Sequence, residues 1–369
     1  MNPFRYGCVV EGEYFCPRPE LERQLRAFAE SGQNVVIQGE RRMGKTSLIR
    51  HAVGGMRRMR MVYADLYCIR TAGDFCRRVM GGIARADDRM PFLRKAMSLV
   101  HRLRPALSFD PSTGAPQISV DARAAESPEA PGTVMEMLRK IAEGGQTCVV
   151  FDEFQDILDL EGAEGILAEM RSSIQFQAGT PYFFSGSVRN DMARIFDDSG
   201  SPFFKSAVPF TVGAIERGTF ARFVAERFRK GGRQVDMDTA GALVDYADGV
   251  SGDVQEICEA IWDTTEAGAR VTVEDVPKAL KLVFSREGAA FGETVRQLTP
   301  LQTAVLRALA EEGTEGVFSG TFMQRVGTTS TGGLRTALGR LVARRIVYPY
   351  GGRYRFANPF FKVWLRTEL

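Results

Sequence analysis

The sequence is poor in residues on which several classes of protein depend. Its 369 residues include two histidines and six cysteines, with no CxxC pair, which disfavours zinc sites, disulfide frameworks and histidine-based chemistry. No apolar run approaches the roughly 18 residues that a membrane span needs, so we expect no membrane association. The first residues lack the basic start and apolar stretch of a secretory signal, and we expect a cytoplasmic protein.

Lysine is scarce as well, since only 8 of the 48 basic residues are lysines. The net charge is +3, and hydrophobic residues make up 44% of the chain, enough for two or three domains with cores of their own. The charge is unevenly spread. Residues 298–369 hold ten basic and four acidic residues, a net +6, which leaves −3 for the rest of the chain. A basic region of this kind is typical of surfaces that attract nucleic acid.

Five short and nearly all-apolar runs predict strands that are buried on both faces. They lie at residues 34–38, 61–67, 147–154, 181–187 and 208–212, and helical patterns separate them. Strands that alternate with helices indicate an α/β domain with a largely parallel sheet.

The remaining segments divide the chain further. Residues 105–131 hold five prolines around two alternating stretches, ALSF and QISV, which is typical of a surface β-hairpin insertion. We predict a core domain at 1–213, a small helical domain at 214–290 and a winged helix at 291–369, where helices precede a glycine-tipped hairpin.

One motif in the first domain carries recognisable chemistry. Residues 39–46, GERRMGKT, match the pattern G-x-x-x-x-G-K-[ST], a loop whose backbone N–H groups surround nucleotide phosphates at the start of a helix. Lys45 would reach the β- and γ-phosphates, where we also assign it a catalytic role, and the Thr46 hydroxyl would bind Mg²⁺. The nucleotide-binding residues predicted from this loop are Gly39, Arg42, Met43, Gly44, Lys45, Thr46 and Ser47.

The apolar strand in the third of these runs ends in two carboxylates, Asp152 and Glu153. A P-loop fold needs an acidic group beside its magnesium ion, and Asp152 is the candidate, acting through water. Glu153 is the candidate general base, because the attacking water must lose a proton. Together with the loop, these residues predict an ATPase that converts ATP and water to ADP and phosphate.

Polar residues also end the neighbouring strands. Ser187, and Ser185 as a second choice, could contact the γ-phosphate or the attacking water, although a strand-terminating turn is an equal interpretation. Asp65 could lie near Glu153 or could serve as a helix cap.

These motifs together resemble the archaeal-type ATPase family, in the STAND class of P-loop ATPases, which are relatives of the AAA+ proteins. The resemblance spans nearly the whole chain and includes FCPRPELE, GERRMGKTSL, VVFDEF, RSSIQF, GSVRNDMARIF and ANPFFKVWLR. It implies an α/β P-loop ATPase core with a parallel sheet, a helical lid and a C-terminal winged helix, with ATP or ADP and Mg²⁺ as cofactors.

The resemblance adds residue roles and also meets two departures. The family has a Gly-Arg pair near the adenine, which carries over to Arg18 as a nucleotide-binding residue, but proline replaces the glycine at Pro17. In the lid, residues 249–253 read GVSGD where the family has a Gly-x-Pro-like signature. AAA+ hydrolysis commonly uses a cation from a neighbouring subunit. The candidates are Lys205, Arg189 and Arg171, and an ordinary surface lysine is the alternative for Lys205.

Three uses of ATP compete. The chain could be a slowly hydrolysing switch whose nucleotide states are passed to the winged helix, or a DNA-acting ATPase of replication, transposition or defence. A binding module that has lost hydrolysis is disfavoured by the two intact carboxylates. The winged helix could bind duplex DNA, or it could dock on the acidic remainder of the chain, on a protein partner or on a second copy. The arginines predicted to face DNA are Arg335, Arg340, Arg344, Arg353 and Arg355.

Overall fold

A computed structural model describes residues 1–86, 106–109, 116–119, 127, 129–187, 189–312, 316–350 and 352–368. The chain forms two compact units, one of Val9–Gly213 and one of Met1–Cys8 together with Ala214–Leu369. The first eight residues therefore belong with the C-terminal part of the chain, whereas the sequence groups them with the ATPase core. The division into three domains stays a prediction.

The first unit contains a parallel sheet with helices between its strands. Its elements are α1 (Pro19–Glu30), β1 (Val35–Gln38), α2 (Lys45–Gly54), β2 (Arg60–Asp65), α3 (Ala72–Ala86), β3 (Ala106–Phe109), β4 (Pro116–Ser119), α4 (Ala130–Glu143), β5 (Thr147–Asp152), α5 (Ala163–Ile174), β6 (Tyr182–Gly186), α6 (Arg189–Phe196) and β7 (Val208–Thr211). All five predicted apolar runs form strands of this sheet, and the predicted α/β class is confirmed.

The strand order of the sheet is β2-β5-β6-β1-β7, and every pair is parallel. β6 therefore lies between β1, which leads into the glycine-rich loop, and β5, which ends at Asp152. Since parallel strands bring their carboxyl ends to one edge, three polar segments that are far apart in sequence meet there.

Aromatic rings fill the core beneath this edge. Phe154 follows the two carboxylates directly, and its ring lies 4.7 Å from that of Phe184 on β6 and 5.8 Å from that of Phe203. All three side chains are fully buried, and each such burial contributes about 1.5–3 kcal/mol. The packing of Phe154 anchors the chain immediately after Glu153.

The predicted hairpin insertion contains two short strands. β3 and β4 pair antiparallel, from Ala106 opposite Ser119 to Phe109 opposite Pro116. The second strand begins one residue before the QISV stretch. The rest of residues 105–131 is described only at 127 and from 129 onwards, so the prediction for the remainder lies outside the described residues.

The second unit is mainly helical. Its elements are α7 (Arg217–Lys230), α8 (Met237–Tyr246), α9 (Ser251–Thr264), α10 (Val276–Arg296), α11 (Pro300–Glu312), α12 (Gly320–Val326), α13 (Thr331–Ala343), β8 (Val347–Tyr350), β9 (Arg353–Phe356) and α14 (Pro359–Thr367). The first residues of the chain pack here: the Asn2 amide donates to the Glu259 carbonyl at 3.1 Å, and the Phe4 ring lies 4.7 Å from Phe228.

Helices α11 to α13 and the β8–β9 hairpin form the predicted winged helix. Helix α14 closes it with the apolar ending of the sequence, where Phe361 lies 5.1 Å from Phe291 of α10. Helix α10 runs through residue 290, where the sequence places a domain boundary. Within the described ranges, no helix is both long and apolar enough to cross a membrane.

Candidate functional site

The glycine-rich loop joins β1 to α2 in a conformation that its sequence makes possible. Gly44 is the N-cap of α2 with φ +79°, and Arg42 also has a positive φ of 63°. A Cβ atom on Gly39 would lie 2.4 Å from the Val212 carbonyl oxygen, so no other residue fits there. Because the N-cap has no side chain, the first N–H groups of α2 are available to an anion.

Lys45 lies inside this loop and is only 6% exposed. Its ammonium group donates to the carbonyls of Gly39 and Glu40, each at 3.0 Å. Burial lowers the pKa of Lys45, and the carboxylates of Glu153 and Asp152 oppose that shift. A cation held in this way by its own loop is placed to exchange carbonyl contacts for phosphate oxygens.

Thr46 and Asp152 meet at the start of α2 and the end of β5. The Thr46 hydroxyl donates to Asp152 Oδ2 at 2.6 Å, and the Glu153 backbone N–H donates to Asp152 Oδ1 at 3.1 Å. A hydroxyl and a carboxylate are hard oxygen donors of the kind that Mg²⁺ prefers, so the residues present fit a magnesium ion bound together with phosphates. Ser47 instead accepts a hydrogen bond through Oγ from the Val10 N–H, which leaves its backbone as its predicted contribution.

Glu153 has an unusual backbone conformation, with φ 49° and ψ 43°. Non-glycine residues in this region are uncommon and concentrate at functional sites. Its Oε2 accepts hydrogen bonds from the Ser187 hydroxyl at 2.9 Å and from the Gln155 amide at 2.7 Å. The structure therefore brings Ser187 to Glu153, which are the predicted polar residue and the predicted base.

Two other predicted polar residues lie elsewhere. The Ser185 hydroxyl is fully buried and has no hydrogen-bond partner within the described residues. Asp65 accepts the Tyr67 N–H at 2.9 Å, so its carboxylate closes the turn after β2. Ser187 is the strand-end serine whose contacts reach the carboxylate pair.

Arg18 forms hydrogen bonds with the backbone of the glycine-rich loop. Its guanidinium donates to the Met43 carbonyl at 2.6 Å and to the Gly213 carbonyl at 2.9 Å. Burial lowers the pKa of Arg18 to about 10. The side chain thus joins the loop to the last residue of its unit, and the predicted contact with nucleotide stays a prediction.

Replacing Arg18 by alanine should lower the free energy of unfolding by about 1–3 kcal/mol, because the buried Met43 carbonyl loses this charged donor. Urea unfolding followed by circular dichroism measures the change. Arg23→Ala is the matched control, since Arg23 lies on α1, the helix that Arg18 precedes, with an exposed side chain paired to Glu20. Equal unfolding midpoints for the two variants would show that the carbonyl contacts contribute nothing to stability.

Two residues of this site, Gln155 and Tyr63, have no role predicted from the sequence. The buried Gln155 amide bridges Glu153 to Asp156 Oδ1 at 2.8 Å, and the Tyr63 hydroxyl donates to Asp152 Oδ2 at 2.7 Å. Burial and the Asp152 carboxylate raise the pKa of Tyr63. A polar-tipped tyrosine inside an otherwise apolar strand was the available signal for Tyr63.

Solved structures with a similar fold show which fold carries this site. A Walker-type ATPase of Pyrococcus abyssi is similar over 99% of both chains, with a TM-score of 0.70 and 20% sequence identity. The chain has the fold of the Walker-type ATPases. The ORC2 protein of Aeropyrum pernix, solved in ADPNP–ADP complexes, matches 98% of this chain and 96% of its own, with a TM-score of 0.59 and 15% identity. The predicted resemblance is confirmed at the level of fold.

Two further comparisons concern the C-terminal part and the sequence as a whole. Residues 289–367 match the family model described as a probable winged helix domain. The ORC1 protein of Aeropyrum pernix in complex with DNA matches 99% of this chain and 97% of its own, with a TM-score of 0.50 and 17% identity. Among curated protein sequences, none is significantly similar to the chain.

In this Walker-type fold the predicted trans-acting cations lie at separate places. Lys205 has a positive φ of 49°, and its ammonium lies 5.1 Å from the ring centroid of the part-exposed Phe204. Arg171 is half-buried on α5, and the side chain of Arg189 lies outside the described residues. Their role in a second subunit stays a prediction.

The winged helix presents most of its predicted arginines to solvent. Helix α13 buries Leu334, Leu338 and Leu341, while Arg335 and Arg340 are exposed. The Arg335 guanidinium lies 5.7 Å from the ring of Phe318, which is itself exposed. Of the other predicted arginines, Arg344 is exposed and donates to the Gln297 carbonyl at 3.0 Å, Arg353 is exposed on β9, and Arg355 is half-buried.

Proposed function

We propose that this protein binds ATP with Mg²⁺, hydrolyses it slowly, and acts as a nucleotide-dependent switch. The convergence of Lys45, the Thr46–Asp152 pair and the Glu153–Ser187 pair at one edge of the sheet carries the proposal. The fold supports it, because the similar ORC2 protein was solved with ADPNP and ADP.

Each residue has a role that follows from its contacts. The N–H groups from Arg42 to Ser47 and the Lys45 ammonium bind the phosphates. Thr46 and Asp152 would hold Mg²⁺, which supplies positive charge beside the phosphate oxygens when it is bound. The hydrogen bonds from Ser187 and Gln155 are both accepted by Glu153 Oε2, and Oε1 would accept the proton of the attacking water.

A connection within the first unit supports the switch. Arg18 contacts both the loop, through Met43, and Gly213, the residue at which the chain leaves the unit. A change in the loop carbonyl on phosphate binding would therefore reach the point where the helical domain begins. The nucleotide can shift the equilibrium between two conformations of the chain only through a difference in its affinity for the two.

DNA binding is a second candidate function, favoured by the exposed arginines of the winged helix and its local charge of +6. The similar ORC1 protein was solved in complex with DNA. One experiment separates the candidates: the ATPase rate of the purified chain is measured with and without duplex DNA. The molecular mass of the protein in solution is measured alongside, in ADP and in a non-hydrolysable ATP analogue. A slow rate that DNA leaves unchanged favours the switch, and DNA-stimulated turnover favours the second candidate.

Replacing Arg335, Arg340 and Arg353 by alanine should reduce affinity for duplex DNA and flatten its salt dependence, because fewer counterions are released on binding. Fluorescence anisotropy at several salt concentrations measures both effects. A control variant removes three exposed arginines of the same unit outside the winged helix, Arg222, Arg229 and Arg270. If the wild type binds no duplex at low salt with either nucleotide, the winged helix has a docking function instead.

A further inference from the structure

The Asp152 carboxylate accepts three hydrogen bonds. Two of them are donated by hydroxyl groups, and both of these fall on the same carboxylate oxygen. Thr46 donates to Oδ2 at 2.6 Å and Tyr63 donates to it at 2.7 Å, while the Glu153 N–H donates to Oδ1. Thr46 is the predicted magnesium ligand, and its hydroxyl oxygen can bind the metal through a lone pair while its O–H still donates to the carboxylate. The Tyr63 hydroxyl donates to the same oxygen and has no predicted contact with the metal.

The sheet places Tyr63 at this carboxylate. β2 and β5 pair in parallel, with Tyr63 opposite Val150 and Asp65 opposite Asp152. Tyr63 and Asp152 are therefore diagonal neighbours on one face of two adjacent strands, within reach of a long side chain.

The tyrosine ring is also held in place from its other side. The Arg50 guanidinium lies 5.1 Å from the centroid of the ring, and Arg50 itself pairs with Glu11 at 3.1 Å. This stacking limits the orientations of the ring and keeps its hydroxyl directed at Asp152.

We propose that Tyr63 is the positioning residue of the magnesium site: together with the Thr46 hydroxyl, the Tyr63 hydroxyl keeps the Asp152 carboxylate oriented. The proposal rests on the proposed function, since it assigns Asp152 and Thr46 to Mg²⁺. Mutation of a group that orients a metal ligand through a hydrogen bond typically lowers metal affinity by about 10- to 100-fold. Among the described residues, no hydrogen bond joins the Tyr63 hydroxyl to the loop or to Glu153, so nucleotide affinity without metal should not depend on it.

The test is Tyr63→Phe in the full chain, which keeps the ring under Arg50 and removes only the hydroxyl. ADP affinity is measured by calorimetry across a Mg²⁺ titration and in EDTA, and Mn²⁺ binding to the ADP-bound protein is measured by electron paramagnetic resonance. We expect the Mg²⁺ concentration at which the change in ADP affinity is half-maximal to rise about tenfold or more. The ADP affinity in EDTA should stay within about twofold of wild type, because the P-loop contacts are intact.

Tyr182→Phe is the matched control. Tyr182 is a buried tyrosine of the same sheet whose hydroxyl donates to Gln177 Oε1 at 2.7 Å, away from Asp152. The Tyr182→Phe variant should leave the Mg²⁺ dependence of ADP binding unchanged. An unchanged metal dependence in Tyr63→Phe, with wild-type protein that binds ADP in a Mg²⁺-dependent way, overturns the role of Tyr63 alone. Wild-type protein that binds no nucleotide at any Mg²⁺ concentration overturns the proposed function as well.

Discussion

Lys45→Ala should abolish ATP binding. The ammonium group is the one buried cation inside the loop among the described residues, and its contacts with the Gly39 and Glu40 carbonyls hold it where we predict the phosphates to bind. Alanine removes a charge-assisted donor and leaves the phosphate charge to the backbone amides alone.

Isothermal calorimetry with ATP and Mg²⁺ measures this loss directly. Lys140→Ala is the control, because Lys140 lies on α4 of the same unit with its ammonium 3.6 Å from Glu136 at the surface. That variant should bind as wild type does. A Lys45→Ala protein with unchanged ATP affinity would overturn the assignment of the loop.

Glu153→Gln should retain ATP binding while hydrolysis falls by about 10²-fold or more. The amide keeps the size of the side chain and can still meet Ser187, but it cannot accept a proton from water. The hydrogen bonds from Ser187 and Gln155 both fall on one carboxylate oxygen, so the amide oxygen of the new glutamine can accept both.

Phosphate release under saturating ATP measures the rate, and calorimetry shows that binding is retained. Glu164→Gln, an exposed carboxylate on α5, is the control for the loss of one charge from the same unit. If Glu153→Gln hydrolyses ATP at the wild-type rate, another residue is the base.

The parts of the site that are local in sequence could be predicted. The loop at residues 39–46 and the pair Asp152–Glu153 each follow an apolar run, so the strand, the turn and the polar residue are all within one short segment. The five strands, the winged helix and the buried leucines of α13 were predicted for the same reason, because periodicity depends only on near neighbours.

The contacts that depend on strand order could not be predicted in this way. Tyr63 reaches Asp152 only because β2 and β5 are neighbours in a given register, and Ser187 reaches Glu153 only because β6 lies beside β5. Arg18 meets carbonyls that are 25 and 195 residues away along the chain. A single sequence contains no local signal for such pairings.

The close approach of Gly39 to the Val212 carbonyl has a consequence for the evolution of such chains. The space beside Gly39 is filled by protein, the Val212 carbonyl and Cβ, and not by a ligand. A descendant that lost Lys45 and with it the use of ATP would still need glycine at position 39, because any side chain would push β1 and the end of β7 apart. Retention of this first glycine is therefore a weaker sign of a working nucleotide site than retention of the lysine.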